Sequence, residues 1–68
     1  MITDNGRFKI EGFNQKGKRL LNCEDPEAVR WMVYSRRTRR YGSTTFDSLE
    51  RASEYITALA ETHKSMGI

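Results

Sequence analysis

Apolar and polar side chains alternate over residues 7–13, with Phe8, Ile10 and Gly12 on one side and Lys9, Glu11 and Phe13 on the other. A period of two predicts a half-buried strand. Asn14-Gln15-Lys16-Gly17 has turn chemistry, Gly17 supplying a positive φ at no steric cost. Residues 18–23 then read as the return strand of a β-hairpin, with Leu21 and Cys23 on one face. Near the other end the period changes. Leu49, Ala52, Ile56, Leu59 and His63 recur at spacings of three and four and form one apolar stripe. Asp47, with Glu50 three residues on, resembles a capping box, so a helix is predicted over 48–63. Its stripe must be buried, and the sheet is the surface on offer.

Residues 25–40 admit two readings. Asp25-Pro26-Glu27-Ala28 has the features of a helix start: an N-cap Asp, Pro at the first helical position and Glu in the first turn. Residues 29–34, Val-Arg-Trp-Met-Val-Tyr, are β-branched and aromatic and favour a strand. That strand turns Val29, Trp31 and Val33 inward and Arg30, Met32, Tyr34 and Arg36 outward. Asp25-Pro26 then makes a turn, residues 35–39 another, and residues 40–46 a further strand. The strand reading is preferred. The expected fold is α+β: an antiparallel sheet of three or four strands with one C-terminal amphipathic helix packed on one face, the alternative being ββαβα. It is a single domain over 1–68, with 1–5 and 65–68 expected to fray.

At 68 residues there is room for one hydrophobic core and little left to wall a ligand cavity of roughly 300 Å³ or more. Cys23 is the sole cysteine and His63 the sole histidine. They offer no internal disulfide, no nucleophile and base pair, and no four-ligand zinc set. The acids near Asp25 lack calcium-loop spacing. Gly12 and Gly17-Lys18 have phosphate-loop spacing, but Arg19 stands where Ser or Thr is required and a hairpin is the wrong context. Residues 1–6 hold no apolar leader, and no apolar run nears the ~20 residues of a membrane span. The expectation is a cytoplasmic, non-enzymatic binding module with no cofactor, metal or membrane partner.

The formal net charge of +3 says less than its distribution. Eight of the twelve Lys and Arg residues lie between Lys16 and Arg40, and residues 28–46 hold five arginines and no carboxylate. After Phe46 the balance turns acidic, with Asp47, Glu50, Glu54 and Glu61. Such asymmetry suits a polyanion. The candidate nucleic-acid-binding residues are Lys16, Lys18, Arg30, Tyr34, Arg36, Arg37, Arg39 and Arg40. Arginine neutralises phosphates and pairs with guanine edges in a bidentate way, and an aromatic ring can stack on an unpaired base. The competing reading makes the cations a solvated surface, with Tyr34 and Met32 covering a second small core edged by arginine stems.

Trp31-Met32-Val33-Tyr34, a basic turn, then Tyr41-Gly42-Ser43-Thr44-Thr45-Phe46-Asp47-Ser48-Leu49-Glu50-Arg51-Ala52 and on to Tyr55 resembles the end of an AP2-like or integrase arm-type DNA-binding domain. The resemblance covers residues 29–58, and two residues between Gly42 and Thr45-Phe46 depart from the tighter family spacing. It implies a small antiparallel sheet followed by a C-terminal helix, with the sheet reading the DNA major groove. Trp31, Tyr34, Arg36, Arg37, Arg39 and Arg40 would then face DNA.

A second class of partner stays open. Trp, Tyr and Arg dominate protein hot spots. Small basic proteins of phages and plasmids act by occluding a larger host protein, an analogy of composition alone. An exposed edge strand offers homodimerisation as well.

Overall fold

The computed structural model describes the backbone of residues 1–65 and the side chains of residues 1–61. Three strands, β1 (Phe8–Phe13), β2 (Arg30–Ser35) and β3 (Arg40–Phe46), precede one helix, α1 (Leu49–Ser65). The sheet is antiparallel in the order β1-β2-β3, which is the α+β architecture expected, in its three-strand form. Ile10 pairs with Val33 and Gly12 with Trp31, so the alternation read from the sequence puts these side chains on one face. Trp31 pairs with Phe46 on the same face.

The helix packs there, mainly across β2. Ile10, Val33, Ala52 and Ile56 form the buried centre, flanked by Phe8, Cys23, Trp31, Phe46 and Leu49. The stripe thus does what its spacing predicts through Leu49, Ala52 and Ile56. Leu59 is half-buried, and the side chain of His63 lies outside the described residues. The helix starts at Leu49, so Ser48 takes the N-cap position assigned to Asp47, and Glu50 sits in the first turn. There its charge meets the positive end of the helix dipole.

The ββαβα alternative is excluded, because residues 30–35 extend as β2. Ala28 N donates to Asp25 O at 2.9 Å, closing the turn expected at Asp25-Pro26. The β-hairpin expected over residues 8–23 closes only at its turn, and no return strand forms over residues 18–23. Gly17 does adopt φ 83°, and Asn14 N donates to Lys18 O at 3.0 Å, but among residues 18–23 backbone pairing with β1 is confined to the Phe13–Arg19 bridge and to Leu20 N donating to Gly12 O at 2.8 Å. The reason is local. The side chains of Asn22 and Asp25 accept from the amides two residues on, Glu24 (2.8 Å) and Glu27 (2.9 Å). Such turns offer the backbone a partner other than a ladder. Leu21 is in consequence fully exposed, Cys23 turns to the core, and Val29, expected inward, is 50% exposed. Gly12 allows this close approach: a Cβ would lie 3.1 Å from the Cys23 Cα and 3.3 Å from the Ala28 Cβ, so a side chain there would push the connection outward by a few tenths of an ångström. Trp31 Nε1 completes the attachment by donating to Cys23 O at 2.8 Å.

The N-terminal stretch runs along the outer edge of β1. Ile10 N donates to Thr3 O at 2.9 Å, and Asn5 N to Phe8 O at 3.1 Å. Asn5 Nδ2 reaches the helix at Ile56 O (3.0 Å), and the buried Ser53 hydroxyl donates to Ile2 O (2.6 Å).

Candidate nucleic-acid interface

The face of the sheet turned away from α1 carries Lys9, Glu11 and Phe13 from β1. Arg30, Met32 and Tyr34 follow from β2, and Tyr41 and Thr45 from β3, by strand alternation and register. At its centre is a carboxylate. Glu11 is only 8% exposed, and isolated burial of a charge is costly. It is compensated on three sides. Lys9 Nζ and Arg19 Nη1 each stand 3.3 Å from Oε1, and the Tyr41 hydroxyl donates to Oε2. Burial pushes the Glu11 carboxyl up, but the hydrogen bonds from Tyr41 and Lys9 and the charges of Lys9 and Arg19 outweigh it and hold the group below the ordinary glutamate range. The hydrogen bond to Glu11, followed by burial, raises the Tyr41 phenol in turn.

The aromatic rings here engage one another. Tyr34 and Tyr41 meet edge-on at 5.1 Å, Phe13 and Tyr41 at 6.2 Å, and the Lys9 ammonium lies 5.2 Å from the Tyr34 ring centroid. Tyr34 is thus built into a small second cluster with Lys9 over its ring. The alternation read from the sequence puts Lys9 and Glu11 on the face away from the helix, but the cluster that Glu11 forms with Lys9, Arg19 and Tyr41 was missed. One signal was available: between Asn5 and Cys23 the chain has five cations and a single carboxylate, Glu11, on an alternating strand.

The remaining candidates divide between the two ends of the sheet. Lys16 and Lys18 occupy the turn after β1, where Asn14 Oδ1 accepts from both backbone amides at 2.9 and 3.0 Å. Arg30 opens β2 beside that turn, sharing a shallow hollow with Lys16, Gly17 and Phe13. Arg36, Arg37 and Arg39 form the turn between β2 and β3 at the opposite end, and Arg40 opens β3. Arg39 N donates back to Ser35 O at 2.8 Å. Arg39 sits at φ 57°, a region that disfavours a side chain and is usually left to Gly or Asn. Arg7 joins this end: Arg36 N donates to Arg7 O at 2.9 Å, and Arg7, Arg36 and Arg37 line one concavity. Arg36 is paired with Asp4, whose carboxyl is lowered first by the Gly6 amide and then by Arg36. Arg37, Arg39 and Arg40 are exposed and have no ion pair with a carboxylate among the described residues.

Cys23, half-buried, has its thiol pushed up by burial and then by the neighbouring Glu24, which is the opposite of an activated nucleophile. Among the described residues no helix is long and apolar enough to cross a membrane, and no three His, Cys, Asp or Glu side chains gather as for a metal ion. Comparison with protein-family models, with curated proteins and with solved structures finds no match.

Proposed function

We propose that this chain binds nucleic acid, duplex DNA before RNA, as a non-enzymatic accessory or regulatory protein that grips phosphates with the two basic ends of its sheet. The observation that carries the reading is the turn between β2 and β3, where Arg37, Arg39 and Arg40 project without carboxylate partners among the described residues. Here one of them occupies a backbone conformation that glycine would take more readily. Lys16, Lys18 and Arg30 mark the other end.

Along β2 the two ends are separated by five residue steps, about 17 Å at the rise of a strand. That exceeds the ~12 Å width of the B-DNA major groove by an amount that long basic side chains cover on either side. The major groove of A-form RNA is too narrow for such an approach. The centre of the sheet face, neutralised by Glu11, contributes shape and apolar contact more than charge. The resemblance to AP2-like and integrase arm-type domains points the same way. Leu21, standing free on the connection before β2, favours the protein-occluding alternative, but single exposed apolar residues are common on soluble proteins.

The test is a salt titration of binding to duplex DNA. Affinity falls by about 0.9 log units per neutralised phosphate for each tenfold rise in salt. Replacing Arg37, Arg39 and Arg40 by Ala lowers that slope by roughly 2 to 3 and leaves the circular dichroism unchanged. Absence of binding to duplex and single-stranded DNA and RNA at low salt overturns the proposal. A polypeptide retained in stoichiometric amount after nuclease treatment would favour the alternative.

A further inference from the structure

The two edges of the sheet are treated differently. On β1 the outward groups are occupied: Phe8 O by Asn5, Ile10 N by Thr3 and Gly12 O by Leu20. On β3 no other element pairs with the outer edge among the described residues, and Arg40 to Thr45 are all exposed. Natural edge strands are blunted by inward charges, prolines or bulges. Between Tyr41 and Phe46 there is no charge and no proline. The register irregularity of β3 between its pairings to Met32 and Tyr34 is the one such device.

We propose that two copies of this chain pair antiparallel through β3, about a two-fold axis at Ser43, and that the pairing brings basic ends of the two copies to the same end of one sheet. Ser43 is the midpoint of β3. This register places Tyr41 opposite the partner's Thr45, an aromatic and β-branched pair of the favourable kind, and Arg40 opposite the partner's Phe46. It also sets Arg39 and Arg40 alongside the partner's Asp47, which has no ion pair among the described residues of its own chain; one carboxylate against two guanidinium groups favours the pairing and leaves that end net positive for phosphate. The irregularity falls on the axis, where two identical bends face each other. Both helices stay on one side of a six-stranded sheet and both open faces on the other. α1 covers β2 more than β3, which leaves the dimer seam accessible.

Within one chain the basic groups stand at opposite ends. Antiparallel pairing reverses the partner, so each end of the dimer carries Arg36, Arg37, Arg39 and Arg40 of one copy and, across the end of the partner's β3, the partner's Arg30, Lys16 and Lys18. The inference rests on the proposed function only for the role of these ends; the pairing stands on the edge itself.

The experiment follows self-association of the intact chain by sedimentation over a wide concentration range. It is combined with two Ser43 variants. The parent chain is expected to sediment as a dimer. Ser43→Cys should oxidise to a species linked between the two copies at position 43, identified by peptide mass, since cross-strand Cβ atoms there approach disulfide range. Ser43→Lys sets like charges across the axis and should give a folded monomer. Although it adds a cation, it should also weaken duplex binding about tenfold or more, because two-ended engagement is lost. A parent chain that stays monomeric at the highest concentration, or a Ser43→Cys variant that links no faster than native Cys23 oxidises, overturns the pairing. A Ser43→Lys monomer that binds duplex as tightly as the parent overturns the joint role of the basic ends and spares the proposed function. A dimer that binds no nucleic acid overturns the proposed function and spares the pairing.

Discussion

On the helix side of β1 and β2, Ile10 and Val33 stand opposite each other and meet Ala52 and Ile56, all nearly inaccessible to water. On the other side of the same two strands, Glu11 stands opposite Met32 and is closed in by Lys9, Arg19 and Tyr41. The first face follows the familiar rule of area removed from water. The second has no covering layer and keeps itself ordered with a charge, two cations whose stems reach the surface and a set of edge-on rings. A small chain cannot afford apolar residues on both faces, since one helix covers only one. Hydrogen bonds of a charged group, usable beside solvent, give the open face a defined shape that hydrophobic packing alone would not.

The contrast can be broken from either side. The largest effect should come from Ile56→Ala, which empties the centre of the apolar face. A loss of about 2–5 kcal/mol is expected, enough in so small a domain to leave much of the chain unfolded in a denaturant titration. Glu11→Gln should cost less, about 1–2 kcal/mol, because Lys9 and Arg19 keep access to water, with side chains 33% and 58% exposed. The same variant sharpens the comparison through pH. The folded-state pKa of Glu11 is lowered, so its contribution is fully present above its unfolded pKa and is lost as pH falls through the folded value. Stability measured by thermal unfolding should therefore decline below about pH 4.5, the usual glutamate range, and the decline should be shallower in Glu11→Gln. Asp4, lowered in the same direction, accounts for part of what remains.

Tyr41→Phe should cost about 1 kcal/mol and make the acid decline shallower, because Glu11 loses the hydrogen bond that lowers its folded-state pKa. The parent chain should also weaken at high pH, because a raised Tyr41 pKa means stability present below the phenol's unfolded pKa and lost through its folded one. The smallest effect should be at the arginine turn. Arg39→Gly relieves the left-handed backbone but enlarges the freedom of the unfolded chain, so stability should rise by about 0.5 kcal/mol or less while duplex binding weakens. Were Arg39→Gly instead to destabilise the fold clearly, the turn would belong to the structural apparatus and not to a binding surface.

Several features were legible along the chain because each depends on near neighbours. The alternation in 7–13, the stripe from Leu49 to Ile56 and the turn at Asp25-Pro26 are periodicities or local dihedral preferences, and a dozen residues suffice to reveal them. The return strand over 18–23 was misread for a reason that is also local. Asn22 and Asp25 divert the backbone into side-chain-capped turns, and their signal is weaker than that of the apolar residues around them.

What only the tertiary structure decided depends on register. Tyr41 meets Glu11 because β3 pairs with β2 and β2 with β1 at particular offsets, thirty residues apart in the chain. A two-residue slip in either ladder would part them while preserving every pattern in the sequence. The same holds for the arginines: the sequence determined that they are many and close in number, and the strand directions decided which end of the sheet each would occupy. Composition and period constrain which side of an element faces water. Where two distant side chains meet is set by the pairing that buries the most surface across the whole chain, a property no segment carries by itself.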